Sequence, residues 1–290
     1  MGRRCRESTI GQAGLTLRSV PMTESSRPIQ ILDEDEPLAF TRVPGAEESP
    51  FFLACDHASN RIPRSLGTMG LADPHRLSHI AWDIGIAEVA RAMAARLGAE
   101  LVLSNYSRLV IDCNRPLSAK DSITSISADV PIPANVGLSH AEVAARVEGV
   151  FRPYHGCIES ALDRRLRDGQ TSIYVALHSF TPVMRGFVRP WHVGVLYQRD
   201  ARIAKRLLES LGADPTVAVG DNEPYRVSDA TDYSVVTYGE GRELLHVELE
   251  LRQDLITNVA GQSEWAERLA RLLVDSATKE LGRRQCFVAD

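Results

Sequence analysis

The sequence has little of what several protein classes require. Its five cysteines, Cys5, Cys55, Cys113, Cys157 and Cys286, are widely spaced and include no CxxC pair, which argues against a disulfide framework. No stretch approaches the roughly 20 consecutive apolar residues of a membrane-spanning helix, and the segment before residue 30 has no sustained apolar run of the kind found in a secretory signal. These absences predict a protein of the reducing cytoplasm, without a membrane segment.

The chain also lacks a strong charge of either sign. It carries 33 Lys and Arg residues against 38 Asp and Glu residues, a formal net charge of −5, and only 6% of its residues are aromatic. This balance provides no basic, aromatic-rich surface for nucleic acid and no general attraction to an anionic membrane. The GxSxG, GxGxxG, GxxxxGK[ST] and HExxH motifs are absent as well, so the catalytic and nucleotide-binding templates that they mark do not apply.

What the chain does have is an α/β pattern over most of its 290 residues, of which 44% are hydrophobic. We predict a tail over residues 1–29 and a single domain over residues 30–290, in which an α/β sheet is covered on both faces. Apolar runs predict strands, and helical spacing predicts helices. The predicted strands are 51–55, 100–104, 108–113, 173–177, 193–197 and 244–251, and the predicted helices are 82–97, 139–168, 201–211 and 264–281. Residues 116–138 are predicted to form a long surface loop.

One helix has a clear start signal. Ser139 with Glu142 three residues later is the pattern of a capping box, and Pro153 is expected to bend the helix that follows.

Two histidines occupy equivalent places after predicted strands. His57 follows the run 51–55 by two residues, and His178 directly follows the run 173–177. In α/β sheets functional residues collect at the carboxyl ends of strands, and neutral imidazole is a common metal ligand. The pair therefore indicates a metal site. The alternative is that each histidine is only hydrogen-bonded at the end of its strand.

A third strand end carries Asp112, Asn114 and Arg115, preceded by Arg108. A guanidinium matches a carboxylate in bidentate fashion, so Asn114 and Arg115 are candidates for binding an anionic substrate, with Asp112 orienting the arginine. The alternative is an internal Asp–Arg ion pair that stabilises a turn.

Alternation over residues 246–254 places His246, Glu248, Glu250 and Arg252 on one face. This face is a candidate source of a general base, with Arg252 as a candidate substrate-binding residue, although a solvated strand face has the same pattern.

Asp83 stands four residues after His79, so on one helix the two would share a face. It is a candidate metal ligand, or alternatively a helix N-cap.

Five segments, in order over residues 45–275, resemble the N-formylglutamate amidohydrolase family. They are FFLACDHASNRIP (51–63), SRLVIDCNRP (107–116), VALHSFTP (175–182), the Asn222–Tyr225 turn and VELELRQDLI (247–256). The family is similar in fold to zinc carboxypeptidases and aspartoacylase, which implies a mixed, mostly parallel sheet flanked by helices. The resemblance implies a metal-dependent hydrolase that cleaves a linear amide bond next to a carboxylate, with a small anionic N-acyl amino acid such as N-formyl-L-glutamate as substrate.

Residue by residue, the resemblance makes His57 and His178 ligands of one Zn²⁺ ion and Glu250 the carboxylate that activates water. Asn114 and Arg115 match the pair that grips the substrate carboxylate, and Arg108 would assist in stabilising the oxyanion.

The zinc peptidases use His-x-x-Glu, and Asn60 stands at the Glu position here. Because zinc sites of this kind use two histidines and a carboxylate, Asp83 or Asp56 is expected to replace the Glu, and Asp83 is favoured. Two alternative functions remain, a non-catalytic binding protein for small carboxylates and a peptidoglycan or peptide amidase on the same scaffold.

Overall fold

A seven-stranded sheet organises the residues described by this computed structural model, which are Met1 and residues 29–287, with side chains up to residue 282. The predicted tail over residues 1–29 falls almost entirely outside these residues. The strands are β1 (Phe40–Val43), β2 (Phe51–Cys55), β3 (Glu100–Ser104), β4 (Ile126–Ser127), β5 (Val130–Pro131), β6 (Ile173–Phe180), β7 (Val183–Met184), β8 (Phe187–Val188), β9 (Val193–Leu196), β10 (Val219–Asp221) and β11 (Leu245–Arg252). The helices are α1 (Asp73–Arg76), α2 (Ile86–Leu97), α3 (His140–Arg146), α4 (Arg152–Arg167), α5 (Arg202–Gly212) and α6 (Val259–Phe287).

The strand order is β1-β3-β2-β6-β11-β9-β10, and the sheet is mixed but mostly parallel. β1 pairs antiparallel with β3, and β9 pairs antiparallel with β11, whereas the remaining neighbours are parallel. The predicted fold class is therefore confirmed. Since β2, β6 and β11 are parallel neighbours, their carboxyl ends meet at one edge of the sheet.

Apolar side chains cover both faces of the sheet. Helices α2, α5 and α6 pack on one face, where Leu53 and Val175 point, and α4 packs on the other, where Phe52 and Tyr174 point. Strands buried on both faces read as continuous apolar runs, which is why these strands were visible in the sequence. None of the described helices is long and apolar enough to cross a membrane.

Several predicted elements differ from the structure. The predicted strand 108–113 is wrong, because this segment forms turns whose backbone bonds to other loops, with Arg108 N donating to Ala81 O and Asp112 N to Ser122 O. Its apolar residues are nevertheless buried under the sheet, so burial alone produced the strand-like pattern.

Helix α2 begins at Ile86 rather than at residue 82, after a turn that places Gly85 at φ 80°. Asp83 therefore neither shares a helix with His79 nor caps α2.

The predicted helix 139–168 is interrupted. Its capping box at Ser139 and Glu142 is confirmed, but a π-helical segment, Val147–Phe151, separates α3 from α4 just before Pro153. A π segment of this kind changes the helix direction, as does a proline. The predicted loop 116–138 contains the β4–β5 hairpin.

Candidate active site

Three buried side chains meet at the carboxyl edge of the sheet. His57 Nδ1 lies 3.4 Å from Asp83 Oδ2, and His178 Nδ1 lies 3.0 Å from the same oxygen. One donor atom from each residue lies within 4.8 Å of the other two. The structure thus brings together the two histidines and the carboxylate that the sequence proposed as metal ligands.

The backbone around these residues explains their meeting. β2 and β6 are hydrogen-bonded neighbours, so the residues at their ends lie side by side, although His178 is still within β6. The turn before α2 is tied to the first histidine because Asp83 N donates to His57 O at 3.0 Å. Ser179 N also donates to Asp83 Oδ2 at 3.2 Å, which fixes the carboxylate against the end of β6.

Each histidine has a second carboxylate behind it. His57 Nε2 lies 2.7 Å from Asp112 Oδ1, and His178 Nε2 lies 3.3 Å from Asp56 Oδ2. Carboxylates in this position set the tautomer of a ligating histidine and orient its ring. Asp56, an alternative third ligand in the sequence, is held in that position by Tyr154 and Ser234, whose hydroxyl groups donate to Oδ1.

The donor set fits a divalent metal of the zinc type. His57 Nδ1 is buried and has no hydrogen-bond partner, so this nitrogen is free to bind a metal together with Asp83 and His178. Zinc bonds of about 2.0–2.1 Å place tetrahedral donors roughly 3.3 Å apart, close to the two separations observed here. Two imidazoles and one carboxylate are also a ligand set that zinc accepts in catalytic sites.

The electrostatics of the group favour charged carboxylates. Burial opposes ionisation of Asp83, but the adjacent His57 and His178 outweigh it and hold the pKa of Asp83 below its ordinary value. Burial likewise opposes ionisation of Asp112, and the charges of Arg108 and His57 hold its pKa well below the usual range. Both carboxylates are therefore anions at neutral pH.

Two glutamates of β11 face the same space. Glu250 pairs in register with His178, and Glu248 precedes it on the same face. Burial raises the pKa of each to about 8. Oε2 of each is buried without a hydrogen-bond partner, which leaves it available to a ligand.

A cavity of about 630 Å³ opens beside these residues and is lined by most of the sequence candidates. Arg108 donates to Asp112 Oδ2 from Nε at 3.0 Å and from Nη2 at 2.6 Å. Asn114 Oδ1 accepts from the backbone N–H groups of Tyr233 and Ser234. Arg115 is held by Asp121 and by the carbonyl of Thr231. The expectation that Asp112 orients Arg115 is wrong, because the side chain of Asp112 contacts Arg108 instead.

Some candidates lie outside the cavity lining, among them Arg252 and Asn60. The guanidinium of Arg252 is bound to Asp254 at 2.8 Å and to the carbonyls of residues 189–191. Asn60 donates to Arg76 O, away from the histidines. Strand alternation placed Arg252 with Glu250, but the strand ends at Arg252 and its side chain follows the adjacent loop.

Several cavity residues were not singled out from the sequence as functional, among them Arg189, Tyr225 and His79. Arg189 is buried, Tyr225 packs on it, and His79 also lines the wall. Tyr225 lay in a segment that carried the family resemblance. Arg189 had no local signal, because an isolated arginine in a loop has no spacing or strand-end position to mark it.

Comparisons with known proteins agree with this geometry. The family model described as N-formylglutamate amidohydrolase matches residues 49–257. The solved structure of a gene product from Agrobacterium tumefaciens is 33% identical, with 86% of this chain and 99% of that chain covered and a TM-score of 0.83. The solved N-formylglutamate amidohydrolase from Ralstonia eutropha is 19% identical, with 86% and 100% covered and a TM-score of 0.64, which shows a shared fold. No curated protein matches the chain.

Proposed function

Because the chain belongs to the N-formylglutamate amidohydrolase family, whose members are hydrolases of amide bonds, we propose that it removes the formyl group from N-formyl-L-glutamate or a closely related N-acyl amino acid. The observation that carries the proposal is the buried His57–Asp83–His178 group, which faces a cavity that also contains Glu250 and several arginines. Family membership also disfavours the alternative of a non-catalytic binding protein.

His57, Asp83 and His178 would hold the metal through Nδ1, an Oδ atom and Nδ1. A Zn²⁺ ion bound there would supply a Lewis acid that lowers the pKa of a bound water and polarises the amide carbonyl. Asp112 keeps the His57 imidazole in the orientation that this binding needs, because a carboxylate only accepts and so requires Nε2 of His57 to donate. Asp56 Oδ2 lies 3.3 Å from His178 Nε2 and favours a proton on that nitrogen.

Glu250 is the general base of the proposed reaction. Its Oε2 atom is free, it lies in register with His178, and burial raises its pKa to about 8. A base with a pKa near the working pH transfers protons efficiently in both directions. Glu250 therefore takes a proton from the attacking water and delivers it to the leaving amine nitrogen.

Arg108 stabilises the negative charge that develops on the amide oxygen. Its guanidinium is fixed by two hydrogen bonds to Asp112 and lies 3.6 Å from Asp83, so it needs no rearrangement when the charge forms. Such preorganised donors act most strongly in a site from which water is largely excluded.

Asn114 and Arg115 bind the carboxylate of the substrate. The Asn114 carbonyl is already occupied by two backbone donors, so its NH₂ group is the one left for a ligand. Arg115 is positioned by Asp121 and Thr231 at the cavity wall. The attraction of Arg115 for the substrate carboxylate outweighs the repulsion from the net charge of −5, because the field of distant charges is screened over about 10 Å at ordinary ionic strength.

The size of the cavity favours a second candidate, an amidase acting on a larger peptide-like substrate. A volume of about 630 Å³ suits a drug-sized ligand, more than one amino-acid derivative requires. Parallel assays with N-formyl-L-glutamate and with N-acyl peptides that end in glutamate distinguish the two candidates.

The test of the proposal combines metal content with turnover. We expect about one zinc per chain by elemental analysis, lost in His57→Ala, together with hydrolysis of N-formyl-L-glutamate. Glu250→Gln is expected to lower kcat by at least about 100-fold, with zinc retained. Its matched control is Glu248→Gln, the same change two residues away on the same face, which should reduce kcat far less. No zinc after reconstitution, or equal kcat losses in the two variants, would refute the assignment.

A further inference from the structure

A short segment, residues 231–234, lies between the proposed metal ligands and the residues proposed to bind substrate. It lines the cavity at Thr231 and Asp232, and at Ser234 it leads into the π-helical segment Val235–Glu240. Ser234 is fully buried, and Asp232 is 9% exposed. The segment is therefore part of the packed cavity wall rather than a loose surface loop.

The backbone of segment 231–234 orients both candidates for substrate binding. The N–H groups of Tyr233 and Ser234 donate to Asn114 Oδ1 at 3.1 and 3.0 Å. The carbonyl group of Thr231 accepts from Nη1 of Arg115. The positions of the Asn114 amide and of the Arg115 guanidinium therefore depend on where this segment lies.

The side chain of Ser234 reaches the other part of the site. Its Oγ donates to Asp56 Oδ1 at 2.6 Å, and Asp56 Oδ2 lies 3.3 Å from His178 Nε2. The Tyr154 hydroxyl is a second donor to Asp56 Oδ1, at 2.8 Å. Ser234 thus contacts Asn114 through its backbone and reaches His178 through Asp56.

Local hydrogen bonds make segment 231–234 behave as one unit. Asp232 Oδ2 accepts from Ser228 N at 2.9 Å and from the Thr231 hydroxyl at 2.8 Å. These bonds close a turn immediately before Ser234. A displacement of Ser234 is therefore passed to the N–H and carbonyl groups that hold Asn114 and its neighbour.

We propose that Ser234 is a positioning residue shared by the metal site and the substrate-binding site. Its hydroxyl group holds Asp56 behind the metal ligands, and the same hydrogen bond holds segment 231–234 against Asn114. A group that is already held in place loses less freedom when its ligand arrives, so this one bond strengthens binding at both places. The inference rests on the proposed function, which assigns Asn114 to the substrate carboxylate.

The test compares Ser234→Ala with the matched variant Tyr154→Phe. Each change removes one hydroxyl group that donates to Asp56 Oδ1. Among the described residues, the Tyr154 hydroxyl is hydrogen-bonded to Asp56 and not to segment 231–234. Zinc affinity is measured by competition with a chromophoric chelator. Binding of N-formyl-L-glutamate is measured by calorimetry on metal-free protein, in which zinc-dependent hydrolysis does not interfere.

Both variants should lower zinc affinity by about 3- to 10-fold, because each loses one hydrogen bond to a buried carboxylate and keeps the other. Ser234→Ala should in addition weaken the binding of N-formyl-L-glutamate by about 3- to 10-fold, whereas Tyr154→Phe should leave it unchanged. A general loss of packing would affect the two variants alike. Equal effects on ligand binding, or unchanged zinc affinity in Ser234→Ala, would refute the shared role.

Asp56→Asn should separate the two effects in the opposite way. The side-chain oxygen can still accept from both Ser234 and Tyr154, so segment 231–234 stays in place and binding of N-formyl-L-glutamate should not change. The NH₂ group then faces His178 Nε2, which must accept, and the ring proton moves to the ligand atom Nδ1. Zinc affinity should therefore fall by about 10- to 100-fold. A large loss of ligand binding in this variant would contradict the proposal.

A second substitution covers the case in which Ser234→Ala does not fold. Ser234→Cys keeps nearly the same size and replaces the hydroxyl by a weaker donor. We expect it to weaken the binding of both zinc and N-formyl-L-glutamate. Wild-type affinity for either one would overturn the shared role.

Activity assays of the wild type separate this inference from the proposed function. If the wild type binds zinc and N-formyl-L-glutamate without hydrolysis, and Ser234→Ala weakens both, the proposed function fails and the shared role stands. If the wild type hydrolyses the compound and Ser234→Ala weakens only zinc binding, the shared role fails and the function stands. Failure of the metal-free wild type to bind the compound would refute the shared role, whatever the activity.

Discussion

Replacing Asp112 by asparagine tests how the residues behind the proposed ligands control metal binding. Asp112 is buried and accepts four hydrogen bonds, from His57 Nε2, from Nε and Nη2 of Arg108 and from Asn114 N. The carboxylate can accept all four because each of its oxygens has two lone pairs. An asparagine of the same shape has only one oxygen, so Asp112→Asn must leave some of these donors without an acceptor.

The effect on the metal site depends on which of two orientations the asparagine amide adopts. If its oxygen stays on His57 Nε2, its NH₂ group faces the Arg108 guanidinium, donor against donor. If it rotates, its NH₂ group faces His57 Nε2, which must then accept, and the ring proton moves to Nδ1. Nδ1 is the free atom directed at Asp83 and His178, so protonation there blocks it as a ligand.

We therefore expect Asp112→Asn to weaken zinc binding by about 10- to 100-fold, the range found when such carboxylates are removed. This corresponds to about 1.4–2.8 kcal/mol of binding free energy. The assay is competition with a chromophoric zinc chelator, monitored by absorbance at fixed pH. The control is Asp121→Asn, which removes an exposed carboxylate from Arg115 in the same cavity without touching a histidine. Unchanged zinc affinity in Asp112→Asn, or an equal loss in Asp121→Asn, would contradict the proposed coordination.

Three further predictions concern substrate binding, pH and the turn before α2. Arg115→Ala should raise KM for N-formyl-L-glutamate by about 10-fold or more with little change in kcat, because the binding of a carboxylate is lost; a fall in kcat at constant KM would disprove this. Burial raises the pKa of Glu248 to about 8, so folded protein binds an extra proton between its ordinary pKa and pH 8, and stability should fall as pH rises through that window. In metal-free protein Glu248→Gln should reduce this fall in the free energy of unfolding by up to about 1.4 kcal/mol per pH unit. Denaturant unfolding at pH 5.5 and 8 measures it, and an equal change with pH in the wild type and the variant would contradict the prediction. Gly85→Ala should cost about 1–3 kcal/mol, because Gly85 has φ 80° and an added Cβ would lie 2.3 Å from Ile256 O; Gly137→Ala, at φ 69° with open space around it, should cost less, and equal losses of melting temperature would show that the contact is unimportant.

The core of the fold was predictable because its signals are local. Strands buried on both faces read as nearly continuous apolar runs, and such runs are visible in β2, in the middle of β3 and in the first five residues of β6 without knowledge of their neighbours. The start of α3 was predictable for a similar reason, since a capping box is satisfied within four residues. The segment 108–113 failed because burial in a loop and burial in a strand select the same side chains.

By itself the sequence determined the residue types of the site, namely two histidines near the ends of apolar strands, several carboxylates and an Asn-Arg pair. Only the tertiary structure decided how they combine, since the contacting residues are far apart in the chain: 55 residues separate His57 from Asp112, and 95 separate Asp83 from His178. The strand order makes β2 and β6 neighbours, and the contacts of the turns around them bring Asp83 beside both histidines and Asp112 onto Nε2 of His57. Whether a charge is paired or unpaired depends on three-dimensional proximity and burial, and neither follows from local periodicity.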